Sequence, residues 1–326
     1  MLQAASGEAL AEPDSFGRRP LALAAGAGHL GCVRLLLERG AARCSVVGSS
    51  PAEAAEAEGE RQRRSSVSMV EGGNALHAAC AAGHADIVGA LLERGSPALV
   101  AQTDEDGRSP LLLACKAGHL EIAMSLLALP TGVASINRRD RRGASPLLLA
   151  VAHGHEPLVD ALVAVESLRI DLPDRFGCSP LCVAAAAGSP MVPTLLRAKA
   201  DPRHADTAGE TPLMAAAMHG HPATVGLLLE GAAGACVNAA SADGETALML
   251  AIAEHHEGIG RALLVHGASV DAVDGFGRSA LLRAVAQAYE EPTRRRSLAY
   301  YLQVRPPLFA PSPPLRLSSG DASDCF

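Results

Sequence analysis

The sequence predicts an all-α solenoid of helix-turn-helix units joined by β-turn or hairpin connections. Three observations carry that prediction. A leucine frame recurs at Leu21, Leu76, Leu111, Leu147, Leu181, Leu213, Leu248 and Leu281, with spacings of 35, 36, 34, 32, 35 and 33 residues from Leu76 onward. A fixed period of this length is the signature of a repeat architecture. An Asp-x-x-Gly tetrad precedes most of these leucines, at Asp14–Gly17, Asp104–Gly107, Asp140–Gly143, Asp174–Gly177, Asp206–Gly209 and Asp274–Gly277. The composition agrees: of 326 residues, 48% are hydrophobic but only 2% aromatic, with no Trp. Ala and Leu must then fill the interior, which favours thin layers of short helices.

Each element of the unit has a mechanical reason. Asp at the first and Gly at the fourth position suits a tight turn, since the carboxylate bonds nearby backbone and Gly reaches positive φ. Ser109, Ser145, Ser179 or Thr211 then caps a first helix that opens on Pro, where a missing N–H sacrifices no hydrogen bond. Paired small residues such as Ala78-Ala79 and Ala215-Ala216 let neighbouring helices approach closely. A Gly-His pair stops the first helix, at Gly28-His29, Gly83-His84, Gly118-His119, Gly154-His155 and Gly220-His221. The second helix carries a buried leucine pair, as at Leu36-Leu37, Leu91-Leu92, Leu126-Leu127 and Leu263-Leu264.

This pattern resembles the ankyrin repeat, a β-turn followed by two antiparallel helices in about 33 residues. The resemblance spans residues 14–302 in eight units. Residues 1–13 are expected to form a degenerate N-terminal capping helix, 14–43 the first repeat, and 44–69 a flexible insert. Repeats two to eight follow over 70–303, ending in a capping helix at Arg294–Gln303 whose three arginines give the polar outer face a terminal unit needs. Residues 304–326 read as a disordered Pro-rich tail. Some units depart from the pattern. Repeat two has Met69-Val70-Glu71-Gly72 at its turn, and repeats seven and eight read His255-His256 and Ala288-Tyr289 at the Gly-His position. Repeat five lacks the histidine (Gly188-Ser189) and places Pro190 and Pro193 in its second helix. Pro193 is expected past the first turn, at a cost of about 3 kcal/mol, which makes repeat five the expected weak joint.

The net charge of −7 argues against a general nucleic-acid binder. No apolar run is long enough to span a bilayer, and the N-terminal segment lacks the regions of a secretory signal. Eight scattered cysteines then read as reduced thiols, with a cytoplasmic or nuclear location expected. Cys80 and Cys115 share the register of Ala25 and Val151, and Cys32 that of Ile87, Ile122 and Leu158, so all three are expected in the core. The stretch Gly26–Gly31 matches G-x-G-x-x-G, but it falls between two helices rather than after a strand, so no dinucleotide site is expected. The recurring histidines are read as structural hydrogen bonds at the inter-helix turns. The alternative is metal binding through His153/His155, His219/His221 or His255-His256. No catalytic motif is present, and neither an enzyme activity nor a cofactor is expected.

The resemblance implies a non-catalytic scaffold or adaptor that presents turn tips and first helices to a protein partner along a concave face. Arg138, Arg139, Arg141 and Arg142 form the densest positive cluster, at the tip of repeat four, flanked by Arg108 and Arg175. Such a stripe suits an acidic or phosphorylated segment, because guanidinium groups grip carboxylate and phosphate bidentately; the alternative is a solvated tip. Phe16, Phe176 and Phe276 stand at one position of their turns, either packing between turns or anchoring a partner. In the insert, Ser66 follows Arg63-Arg64 and is the best candidate for phosphorylation. Pro311-x-x-Pro314-x-Arg316 in the tail fits an SH3-ligand pattern. A monomer is expected. A second reading makes the chain the substrate-recognition subunit of a larger enzyme, such as a ubiquitin ligase or phosphatase complex.

Overall fold

The computed structural model describes residues 19–39, 73–94, 98–230 and 236–290. Helices α1 (Pro20–Gly26) and α2 (Leu30–Glu38) form the first pair, α3 (Ala75–Ala82) and α4 (Ala85–Arg94) the second. A one-turn helix α5 (Ala98–Ala101) leads to the pair α6 (Pro110–Ala117) and α7 (Leu120–Leu127). A second short helix, α8 (Pro130–Val133), precedes α9 (Pro146–Ala152) and α10 (Glu156–Val163). The remaining pairs are α11 (Pro180–Ala186) with α12 (Val192–Arg197), α13 (Pro212–Met218) with α14 (Pro222–Glu230), and α15 (Ala247–Ala253) with α16 (Glu257–Val265). Helix α17 (Ala280–Glu290) opens the eighth unit. The expected terminal caps, the first turn, the insert with Ser66, the turn of repeat two and the Pro-rich tail lie outside the described residues. Among the described residues no helix is long and apolar enough to cross a membrane.

The first helices begin where the sequence places them. Ser109, Ser145, Ser179, Thr211 and Thr246 each accept the backbone N–H three residues on, at 3.2–3.4 Å. Pro110, Pro146, Pro180 and Pro212 occupy the first helical position, where no donor is needed. In sequence order the first helices stack into one row, α1 through α3, α6, α9, α11, α13, α15 and α17. Residue three after the frame leucine is Ala in all eight: Ala24, Ala79, Ala114, Ala150, Ala184, Ala216, Ala251 and Ala284. The six inner ones have 0% exposure, beside frame leucines that are equally buried. A methyl group at each crossing lets the backbones approach until the leucines interlock.

A second set of bonds registers the units at the inter-helix turn. Nε2 of His84, His155, His221 and His256 donates to the carbonyls of Gly26, Lys116, Ala186 and Met218, each in the preceding unit, at 2.9–3.2 Å. The expected structural hydrogen bond therefore joins units rather than helices within one unit. The ring also covers the left-handed glycine ahead of it: a Cβ on Gly118 would lie 2.5 Å from His155. Gly154 faces no such ring, because Ser189 replaces the histidine in repeat five.

Repeat five corrects one expectation. The Ser189 hydroxyl bonds Met191 N at 3.2 Å, and α12 starts only at Val192, so Pro193 falls within the first helical turn and removes no helix bond. The proline penalty is avoided by shortening the helix to 6 residues. The stop of α12 is strained instead, since Lys199 sits at φ 67, where repeat seven has Gly267 at φ 86. Cys32 is also corrected. It is exposed, and no described unit covers that side of repeat one. Cys80 and Cys115 are buried as expected, and burial raises both thiols far above their ordinary range.

His77 is a buried polar group that the repeat pattern does not announce. Nε2–H donates to Arg108 O at 3.1 Å and Nδ1 accepts Asn74 N–H at 3.2 Å, while Asn74 Oδ1 caps α3 through Leu76 N and His77 N. Both ring nitrogens are used in the neutral form, and burial pushes the pKa from 6.5 down to about 4.

This packing predicts the effects of three substitutions. Lys199→Gly relieves the left-handed strain and raises the unfolding free energy by about 1 kcal/mol, whereas His221→Ala lowers it by at least as much through the lost inter-unit bond. Urea titration of the two variants reads both signs. For His77 the folded pKa is depressed, so its contribution is complete above pH 6.5 and fades as pH falls toward 4, by on the order of 3 kcal/mol. His77→Gln removes that part of the pH slope, and urea midpoints measured from pH 7 down to pH 4 show whether it does.

Candidate functional site

At the other end of each unit the Asp-x-x-Gly tetrad builds a projecting finger. Oδ1 of Asp104, Asp140, Asp174, Asp206 and Asp274 accepts the N–H groups two and four residues on, at 2.7–3.0 Å. Ser241 takes the same place in finger seven, its hydroxyl accepting Glu245 N at 3.1 Å. One carboxylate thus closes its turn, and a ladder then locks each finger to the next. Arg141 N donates to Asp106 O, Arg175 N to Arg142 O, Thr207 N to Phe176 O, Ala242 N to Ala208 O and Gly275 N to Asp243 O, at 2.7–3.0 Å. The glycine serves this ladder as well as the turn. A Cβ on Gly143 would fall 2.7 Å from Arg175 N, a separation real Cβ atoms do not show.

The ladder brings Arg141, Arg142, Arg175 and Phe176 together on fingers four and five, which are neighbours. Arg141 and Arg142 are exposed, and their guanidinium groups make no hydrogen bond or ion pair among the described residues. The Arg175 guanidinium carbon lies 4.6 Å over the Phe176 ring, which is 53% exposed. The other arginines of the expected stripe are committed internally. Arg108 pairs with Asp104 and Asp106 at 2.8 and 2.9 Å. Arg138 donates to Ala101 O on one side of its finger, and Arg139 to Pro173 O at 3.1 Å on the other. The sequence cluster therefore divides: two arginines brace the finger and two are available. Phe276 repeats the Phe176 arrangement at finger eight, with Arg278 4.7 Å over its ring and 80% exposure. Both rings stack on an arginine of their own finger rather than packing between turns. Phe16 lies outside the described residues.

Sequence reasoning missed the opposite charge farther along this edge. Glu210 follows Gly209, and Asp243 and Glu245 flank Gly244 on the next finger. Burial first, then the charges of Asp206 and Glu245, push the Glu210 carboxyl above its ordinary value. Reading the residue after each finger glycine down the repeats (Arg108, Ala144, Cys178, Glu210, Glu245, Arg278) would have shown the change of sign. Glu245 and Asp274 are bound by Arg283. Although burial works against it, Asp274 is held well below the usual carboxylate range by hydrogen bonds from Arg283 and Arg278.

At the C-terminal ends of the first helices, next to the inter-helix turns and away from the fingers, Lys116, Ala117, Ala152, His153, Ala187, Met218, His219 and Glu254 are exposed. The His153 and His155 rings stack with centroids 6.1 Å apart, and Nε2 of His155 is committed to Lys116 O. Burial, then the charges of Lys116 and His155, lowers the His153 pKa. Among the described residues no three His, Cys, Asp or Glu side chains converge as metal ligands. Cys178 and Cys182 are raised to about 11 and about 12, chiefly by burial, so neither is a reactive thiolate. Gly26–Gly31 spans the turn between α1 and α2, so the element that leads into it is a helix rather than a strand.

A family model described as ankyrin repeats in three copies matches residues 2–99, 55–140, 76–174, 126–206, 181–274 and 213–291. No curated protein matches the chain. Ankyrin repeats are protein–protein interaction modules and typically non-catalytic. With overlapping matches along nearly the whole chain, and helix pairs linked by a ladder of fingers, this protein belongs to the ankyrin-repeat family.

Proposed function

We propose that the chain is a non-catalytic scaffold or adaptor that captures an acidic or phosphorylated segment of a protein partner on fingers four and five. One observation carries this reading: Arg141 and Arg142 are unneutralised on a finger whose backbone is bonded to both neighbours. An anion need not displace an internal carboxylate to reach them, and no loop must be ordered when it binds. Arg175 is held over Phe176 on the next finger and supplies a further cation beside an apolar surface. Charge-assisted hydrogen bonds to guanidinium are about twice as strong as neutral ones, and an exposed aromatic ring is a common anchor at interfaces.

The test separates the available arginines from the bracing ones. Arg141→Ala, Arg142→Ala and Arg175→Ala together are expected to weaken binding of fluorescein-labelled glutamate-rich or phosphoserine peptides at least tenfold, about 1.4 kcal/mol, with helicity unchanged. Arg138→Ala with Arg139→Ala is expected to lower the melting temperature and to weaken peptide binding less. Fluorescence anisotropy and thermal denaturation read the two effects. Equal peptide affinity in the wild type and the triple variant would sink the proposal.

A further inference from the structure

The charge left on the finger edge after internal ion pairs are removed is not uniform. Finger three offers no spare cation, since its one arginine, Arg108, is shared between Asp104 and Asp106 and balances only one of the two carboxylates. Among the described residues, Arg141, Arg142 and Arg175 on fingers four and five pair with no carboxylate, while Asp140 and Asp174 accept backbone N–H groups. Finger six presents the uncharged pair Thr207 and Ala208 at its tip and two carboxylates, Asp206 and Glu210, at its base. Finger seven presents Asp243, exposed and with no side-chain partner among the described residues, while its Glu245 is taken by Arg283. Arg203, near the base of finger six, is already engaged. A positive zone is therefore followed by an uncharged tip and then a negative zone, along one continuous backbone ladder.

Packed helices stand about 8–10 Å apart. Finger five adjoins finger six, so Arg175 and Glu210 are one step apart, whereas finger four lies two and three steps, about 16–30 Å, from fingers six and seven. That exceeds the screening length of about 8 Å at physiological ionic strength. Arg141 and Arg142 are therefore screened from the carboxylates of fingers six and seven, and each end of the edge presents its own field to a ligand. The ladder bonds hold the zones in fixed order and spacing, so a long ligand meets both at once.

We propose that this edge binds an extended partner segment that is acidic or phosphorylated at one end and basic at the other. Its acidic end lies over Arg141, Arg142 and Arg175, and its basic end over Glu210 and Asp243. The inference rests on the reading above and adds the second half of the ligand. An extended chain covers about 3.3–3.6 Å per residue, so the two charged blocks stand about five to nine residues apart. A uniformly acidic segment long enough to reach finger seven is repelled there, which gives the array a means of rejecting simple polyanions.

The experiment uses the full chain and fluorescein-labelled peptides with a glutamate block and a lysine block joined by a Gly/Ser spacer of varied length. A glutamate-only peptide of the same length is the reference. The bipolar peptide is expected to bind about three- to tenfold tighter than the reference, with an optimum spacer of about five to nine residues. Asp243→Lys with Glu210→Gln is expected to abolish that advantage while leaving the melting temperature close to wild type. Asp243→Asn alone, which keeps the side-chain shape, is expected to reduce it. If the glutamate-only peptide binds as tightly as every bipolar one, in an Arg141- and Arg142-dependent manner, the bipolar inference is overturned and the arginine reading stands. If neither peptide binds, both fail.

Discussion

No helix pair in this array could hold its shape alone, and the close crossing of successive first helices is the contact on which the rest depends. Helices of 7 or 8 residues such as α6, α9, α11 and α13 are far below the length at which an isolated helix persists in water. Their stability comes from burying the frame leucine and the alanine above it against the next unit. Stability is then a sum of nearest-neighbour interfaces, and any residue larger than Ala at the crossing would separate two units along their whole length.

Apolar stacking sets the distance between units but does not by itself set their register, because leucine and alanine surfaces slide at little cost. Two polar devices do so from opposite ends of each unit. The histidine bond fixes the inter-helix turn, and the finger ladder fixes the projecting edge. Both use backbone carbonyls as acceptors, so they tolerate wide variation in the side chains between them. Fingertip residues are thereby free to carry Arg, Phe, Thr, Ala or Asp without loss of fold. Repeat five has the ladder but lacks the histidine bond on its preceding side, and its second helix packs chiefly on its own partner α11.

The same separation of scaffold from surface explains why charge can be used sparingly. Exposed ion pairs add little stability, and the array does not depend on them. Where charges are buried or half-buried, as with Asp104, Asp274 and Arg283, they close on one another. The cations left over on fingers four and five and the carboxylates left over on six and seven are therefore residues the fold does not need.

Much of the architecture was legible in the residues alone, since local chemistry decides it. The leucine period, the Asp-x-x-Gly turn, the Ser/Thr-Pro helix start and the Gly stop are each a short-range rule, and each lies where its rule places it. The start of α12 was misplaced because a six-residue helix is settled by which turn Ser189 caps, which spacing does not reveal. Cys32 was misplaced because register fixes a position within the unit, whereas burial depends on what packs over it, and among the described residues Cys32 is left exposed. The arginine cluster was legible as a cluster. That Arg138 and Arg139 brace neighbouring loops while Arg141 and Arg142 stay available depends on carbonyls some 30 to 40 residues away in sequence. The recurrence of the histidine could be read, but that its bond crosses to the preceding unit could not. The sequence determined the units and the chemistry each one carries. Tertiary stacking alone decided which side chains face one another across units, and so which charges are consumed by internal pairs and which remain exposed.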